Sequence, residues 1–149
     1  MQSFDLHIIH FFRRISLPLA RFGLFIVFFW FGILKVIGMS PASPMVESLY
    51  SNTLGTMLGM DVAVFLVLFG LFECLIGILF LIRGMERLVI PLLSIHLITT
   101  FMPLFILPAM TWTGFLVPTL EGQYIIKNVL IIAIAIVIAA HLHPMHKRS

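Results

Sequence analysis

Charge is what this sequence has least of. Lys and Arg number nine and Asp and Glu six, together 10% of 149 residues, against about 25% in soluble domains. With 61% hydrophobic residues and a mean hydropathy of +1.17, a water-soluble fold of this length cannot cover its own apolar surface. A soluble enzyme, a disordered tail and a nucleic-acid binder are thereby excluded. The net charge of +3 does not reverse this. Arg13, Arg14, Arg83, Arg87, Lys147 and Arg148 sit at the ends of apolar segments, not along one phosphate-tracking face. Cysteine is nearly absent too: Cys74 alone allows neither an intrachain disulfide nor a CxxC relay. The vitamin K epoxide reductase and disulfide-generating classes of small four-helix membrane enzymes therefore drop out. There is no Gly-rich phosphate loop, serine elbow, metalloprotease helix, internal repeat or low-complexity tract.

What is present is long apolar sequence. A span needs roughly 20 mostly apolar residues, and four segments qualify, at about 19–37, 62–82, 88–110 and 124–142. The predicted fold class is an all-α membrane protein, one domain over 1–149, folded as a bundle of four transmembrane helices. The first span follows Arg13 and Arg14 as a signal peptide would. Its apolar run is long, however, and Pro41 and Pro44 crowd the only small-residue stretch that could be cut, so we read an uncleaved anchor. Arg13, Arg14 and Arg21 precede span one, Arg83 and Arg87 fill the turn between spans two and three, and Lys147 and Arg148 end the chain. The other connections, 38–61 and 111–123, hold no Lys or Arg. The positive-inside rule then predicts both termini in the cytoplasm. Residues 4–12 read either as an interfacial helix broken from span one by Pro18 or as the simple start of that span. Residues 39–60, rich in Ser, Pro, Gly and Thr, read as an external loop with room for one short helix.

In lipid, small residues mark close helix contacts. Span two carries Ala63, Gly70, Gly77 and Gly84 at a spacing of seven, with Glu73 on the same stripe and Cys74 at its border. Glu73 is expected to point into the bundle. Span three places His96, Thr99, Thr100 and Pro103 at i, i+3, i+4 and i+7, and Pro103 should kink it by freeing a carbonyl. The turn between these spans centres near Met85. Glu73 lies twelve positions before it and His96 eleven after, so at about 1.5 Å per residue the two share one depth. Carboxylate and imidazole should meet as a hydrogen-bonded pair able to share a proton. A buried ionisable residue in a membrane helix is a functional hypothesis by default; structural glue is the competing reading of the same pair.

A second polar cluster is expected at the outer face. Lys35 ends span one, Glu121 precedes span four, and Lys127 and Asn128 are expected in its first turn, with Trp112 and Tyr124 in the interfacial aromatic belt. Glu121 can pair with either lysine and line a small external pocket, or Lys35 can simply snorkel. Arg21, Phe28 and Lys35 share one face of span one. The run His141-x-His143-x-x-His146 has metal-clip spacing, yet no acidic or thiol partner stands nearby and a site needs three or four convergent ligands; no metal is expected. Cys74, buried in an apolar span, is expected to be inert rather than a sensor of oxidants.

These residues resemble a known family. Arg21-Phe-Gly-Leu followed by Phe-Phe-Trp30-Phe-Gly32-Ile-Leu-Lys35 is similar to the first-helix signature of the YkgB-like inner-membrane proteins, within the broader DoxX-like group. Glu73 in a glycine-bearing second helix, Leu97-Ile-Thr-Thr-Phe-Met-Pro103 and Leu120-Glu-Gly-Gln-Tyr-Ile-Ile-Lys127-Asn128 extend the resemblance over essentially the whole chain. The external loop 40–50 fits loosely, and Asn128 stands where an aspartate is expected. The resemblance implies a bacterial inner-membrane protein tied to resistance to reactive chlorine and related oxidants, and the wider group includes a membrane subunit of a thiosulfate:quinone oxidoreductase. The functional expectation is a small redox-active or lipophilic ligand, quinone being the natural cofactor, bound among Lys35, Glu73, His96, Glu121, Lys127 and Asn128. A small proton-coupled exporter and a non-catalytic scaffold for a redox complex are the alternatives. The expected partners are the lipid bilayer and a second copy or a membrane redox protein.

Overall fold

The computed structural model describes residues 2–53, 55 and 59–141. Within them four helical stretches are long and apolar enough to cross a membrane: Leu6–Val36, Val62–Leu81, Glu86–Ile106 and Leu120–Ala140. In chain order the elements are α1 (Gln2–Val36), α2 (Ser43–Asn52), α3 (Val62–Leu81), α4 (Glu86–Phe101), the short α5 (Pro103–Ile106) and α6 (Pro108–Thr111), the hairpin β1 (Trp112–Gly114) and β2 (Val117–Pro118), then α7 (Leu120–Ile126) and α8 (Asn128–Ala140). The fold is the all-α four-helix membrane bundle that the apolar runs imply.

At its start α1 takes the second of the two readings, the simple beginning of a long span. It runs 35 residues without a break, with Pro18 inside it, so residues 4–12 are not a separate interfacial helix. Membrane helices tolerate such a proline because the single freed carbonyl finds other partners. At roughly 50 Å, α1 is much longer than the hydrocarbon is thick. It stops at Gly38, whose φ of +73° forms a left-handed cap: the Met39 N–H donates to the Leu34 carbonyl at 2.8 Å.

α3 is the most buried of the four spanning helices, and its main neighbour is α1. Glycines set this crossing. A Cβ placed on Gly70 would fall 2.6 Å from the Gly32 carbonyl oxygen and 2.9 Å from Cβ of Lys35, and one on Gly77 would fall 3.0 Å from the Phe29 nitrogen. The spacing-of-seven stripe is thus real in its middle and absent at its ends. Ala63 is exposed, and Gly84 has left the helix. Its φ of +91° lets the chain reverse between Leu81 and Glu86, a conformation that costs an L-residue about 1–2 kcal/mol. Apolar residues of α1, α3, α4 and α8, among them Phe28, Ile76, Leu93 and Ile138, close one core.

The third span is interrupted as its proline predicts: α4 ends at Phe101 and the chain resumes at Pro103 as α5. Beyond it, the expected plain connection 111–123 contains an antiparallel hairpin, Trp112 opposite Pro118. Thr111 is fully buried and anchors this region, its carbonyl accepting the Thr119 N–H at 2.9 Å. The fourth span begins at Leu120, four residues before the expected 124, because Thr119 caps it through a 3.1 Å bond from the Gly122 N–H.

Candidate functional site

Three helices each contribute one ionisable side chain to a single buried point. Glu73, on α3, accepts from Lys35 Nζ of α1 at 2.6 Å through Oε2 and bonds His96 Nε2 of α4 at 2.9 Å through Oε1. The three side chains are only 6–7% exposed. His96 Nδ1 in turn lies 3.2 Å from the Thr100 hydroxyl. Thr99 and Thr100 both donate to the His96 carbonyl, at 2.7 and 2.9 Å, so the single Thr100 hydroxyl proton is shared between that carbonyl and the ring nitrogen. The arrangement is a four-member chain, Lys35–Glu73–His96–Thr100.

Its charges balance when Lys35 is protonated, Glu73 ionised and His96 neutral. The Nε2–H then donates to Glu73, and Nδ1 is an acceptor facing the Thr100 hydroxyl. Each carboxylate oxygen accepts from one donor, Oε2 from Lys35 and Oε1 from His96, so a proton arriving on Glu73 weakens two charge-assisted bonds. The lysine reaches this depth because α1 sits far along α3: Gly32 meets Gly70 and Cys74, and three positions later on each helix Lys35 meets Glu73.

The lining is aromatic. The His96 ring stacks on Phe69 at 5.3 Å and meets Phe28 edge-on at 5.2 Å, while Lys35 Nζ stands 5.6 Å over Phe69. Phe69 continues outward to Phe65 and then to Tyr50 of α2, whose hydroxyl donates to the Met60 carbonyl at 2.8 Å. Rings thus lead from the loop helix to His96. The sequence signal for this ladder was the i, i+4 spacing of Phe65 and Phe69; Tyr50 carried none.

The expected six-residue site divides. Glu73 and His96 meet as their matched depths imply, with Lys35 joined to them rather than to the outer cluster. Glu121 and Lys127 are exposed and form no ion pair among the described residues. Lys127 instead stands 5.3 Å over the Tyr124 ring. The expected Glu121–lysine pairing is therefore not formed, because Lys35 is held inside by Glu73 and Lys127 by its own helix. Asn128 lies in the third turn of the fourth span rather than the first. Its amide donates to the Tyr124 and Ile125 carbonyls, both at 3.1 Å, which a carboxylate at this position could not do. Cys74 is buried, with its Sγ 3.7 Å from the Phe29 carbonyl. Of the C-terminal histidines, His141 bonds the Val137 carbonyl at 2.8 Å; His143 and His146 lie outside the described residues. Sequence reading missed one more pair: Arg21 of α1 donates to Glu86 at the start of α4.

Comparison of the chain with protein-family models, with curated proteins and with solved structures finds no match.

Proposed function

We propose that this chain is a bacterial inner-membrane protein of the oxidant (reactive chlorine) stress response, with both termini in the cytoplasm. In this reading Lys35, Glu73 and His96 form a proton-exchanging seat for a small redox-active lipophilic ligand of the quinone class. The observation that carries the reading is the triad itself. Three ionisable groups from three helices, joined at 2.6 and 2.9 Å in the interior of an apolar bundle, are expensive to maintain in lipid and are kept where they do chemistry. The resemblance to YkgB-like proteins supports the physiological setting, and the aromatic lining suits a flat ring. Redox turnover of a quinone couples electrons to protons, and a carboxylate held between an ammonium and an imidazole is suited to pass them.

The test is survival of a deletion strain under hypochlorite, complemented at matched membrane levels. Glu73→Gln alone leaves Lys35 buried without its counter-ion, so it tests charge balance as well as chemistry. The double variant Lys35→Met with Glu73→Gln removes both charges and keeps a side-chain amide oxygen to accept the hydrogen bond from His96. It should insert and persist like the wild type yet fail to protect. Full protection by the double variant would refute the proton-exchanging site. If it fails to protect and proteoliposomes of the wild type move a lipophilic cation in a pH-dependent way, the exporter reading replaces the quinone one.

A further inference from the structure

The opposite end of the bundle holds a second polar feature that the triad does not use. A cleft of about 700 Å³ opens between the N-terminal half of α1 and the α3–α4 turn. Among the described residues four arginines line it, Arg13, Arg14, Arg21 and Arg83, with Glu86 the one carboxylate among its walls. Glu86 is already committed to one Arg21 nitrogen. A second, Nη1, is buried and has no hydrogen-bond partner among the described residues. Four guanidiniums around one cleft repel each other, and a single carboxylate leaves about three positive charges to be balanced. A buried guanidinium nitrogen without an acceptor adds a desolvation cost that a ligand oxygen would remove.

We propose that this cleft binds a phosphate-bearing anion, with Arg21 Nη1 and the guanidiniums of Arg13, Arg14 and Arg83 as its donors. The planar fork of arginine suits phosphate oxygens, which it can engage in pairs. The same cleft has an apolar wall from Leu17, Phe22 and Leu81, and Phe11, Phe12 and Phe22 stand exposed along this stretch of α1. A free phosphate has no use for that wall, whereas an anionic phospholipid places its headgroup on the arginines and its chains along the phenylalanines. The phospholipid is accordingly the favoured source. The site lies at the arginine-rich end, which the proposed orientation sets against the inner leaflet, where anionic lipid attracts such clusters.

The full chain is released from detergent in the presence of equal phosphatidylglycerol and phosphatidylcholine, and bound lipid is counted by native mass spectrometry. Phosphatidylglycerol should be retained preferentially. The triple variant Arg13→Gln, Arg14→Gln, Arg83→Gln leaves the Arg21–Glu86 pair in place and should cut that preference by about tenfold or more, each arginine near a bilayer surface supplying roughly a fivefold gain. Lys127→Gln, at the other end, should leave it unchanged. A second arm measures thermal stabilisation by sodium phosphate in phosphatidylcholine nanodiscs. Stabilisation of the wild type but not of the triple variant, without a lipid preference, keeps the anion site and makes a soluble phosphate its occupant. No lipid preference together with no phosphate effect overturns the proposal, and so does a preference that the triple variant retains.

Discussion

Gly32 and Gly70 decide how closely α1 and α3 approach, and that approach decides whether Lys35 reaches Glu73. With a methyl group on Gly70, the nearest atoms of α1 would stand at 2.6 and 2.9 Å, so the helices would have to separate. Gly70→Ala should cost about 1–3 kcal/mol, the usual range for overpacking. Gly23→Ala is the control on the same helix pair: nothing lies within 4 Å of its added Cβ, so the alanine should gain roughly 0.5–1 kcal/mol from helix propensity. Equilibrium unfolding in mixed detergent micelles measures both. Equal stabilities for the two variants would mean that the crossing is looser than described. Half of this was readable beforehand. The seven-residue spacing around Gly70 and Gly77 and the equal depths of Glu73 and His96 follow from helix geometry along one hairpin. Lys35 was misplaced because a charge near the end of an apolar run looks interfacial. Only the register of α1 against α3 carries it inward, and no count along a single helix contains that register.

α1 is tied at two points, once to α3 and once to α4, which makes it the element on which the bundle is organised. Towards its C-terminus Lys35 bonds Glu73 of α3; fourteen positions earlier, Arg21 bonds Glu86 at the start of α4. Arg21, Phe28 and Lys35 repeat every seven residues, so both ion pairs and the Phe28 edge against His96 lie on one face. The Arg21 side chain is 12% exposed and that of Glu86 7%. Removing either partner alone should therefore cost about 3 kcal/mol, the lower end for a buried pair left half-charged. The double variant Arg21→Ala with Glu86→Ala should be clearly less destabilised than the sum of the two singles. Additive losses in that double-mutant cycle would show that the pair contributes nothing beyond its separate contacts. Helices of this kind announce themselves by apolar length, and each of the four expected spans lies within a few residues of the observed helix at one end or both. Their ends were harder. The Thr119 cap is local, closed by the Gly122 N–H, but the β1–β2 hairpin is tied off by Thr119 bonds back to Met110 and Thr111, contacts that no periodicity along residues 111–123 announces.

Among the described side chains the charges separate by end. The end that carries the α3–α4 turn presents Arg13, Arg14, Arg21, Arg83 and Arg87 against Glu86. The end that carries α2 and the hairpin presents Glu47, Asp61 and Glu121 with Lys127. Lys35 lies nearer this second end, but it is neutralised within the bundle by Glu73 and adds nothing to its surface. The contrast is sharper in the folded chain than in the sequence, and it is the property on which insertion acts, since positive segments resist transfer across the bilayer. It also links the two proposals: the arginine-rich end faces anionic lipid only if the termini are cytoplasmic. Cysteine accessibility tests this directly, because the one native thiol, Cys74, is buried and can be replaced by alanine. In that background Glu47→Cys should react with a membrane-impermeant maleimide added to intact spheroplasts, while Met85→Cys should react only after the membrane is opened. The reverse pattern would place the arginines outside. The triad would keep its geometry in that case, the cleft would face the outer leaflet, and the inner-leaflet setting proposed for its lipid would be lost.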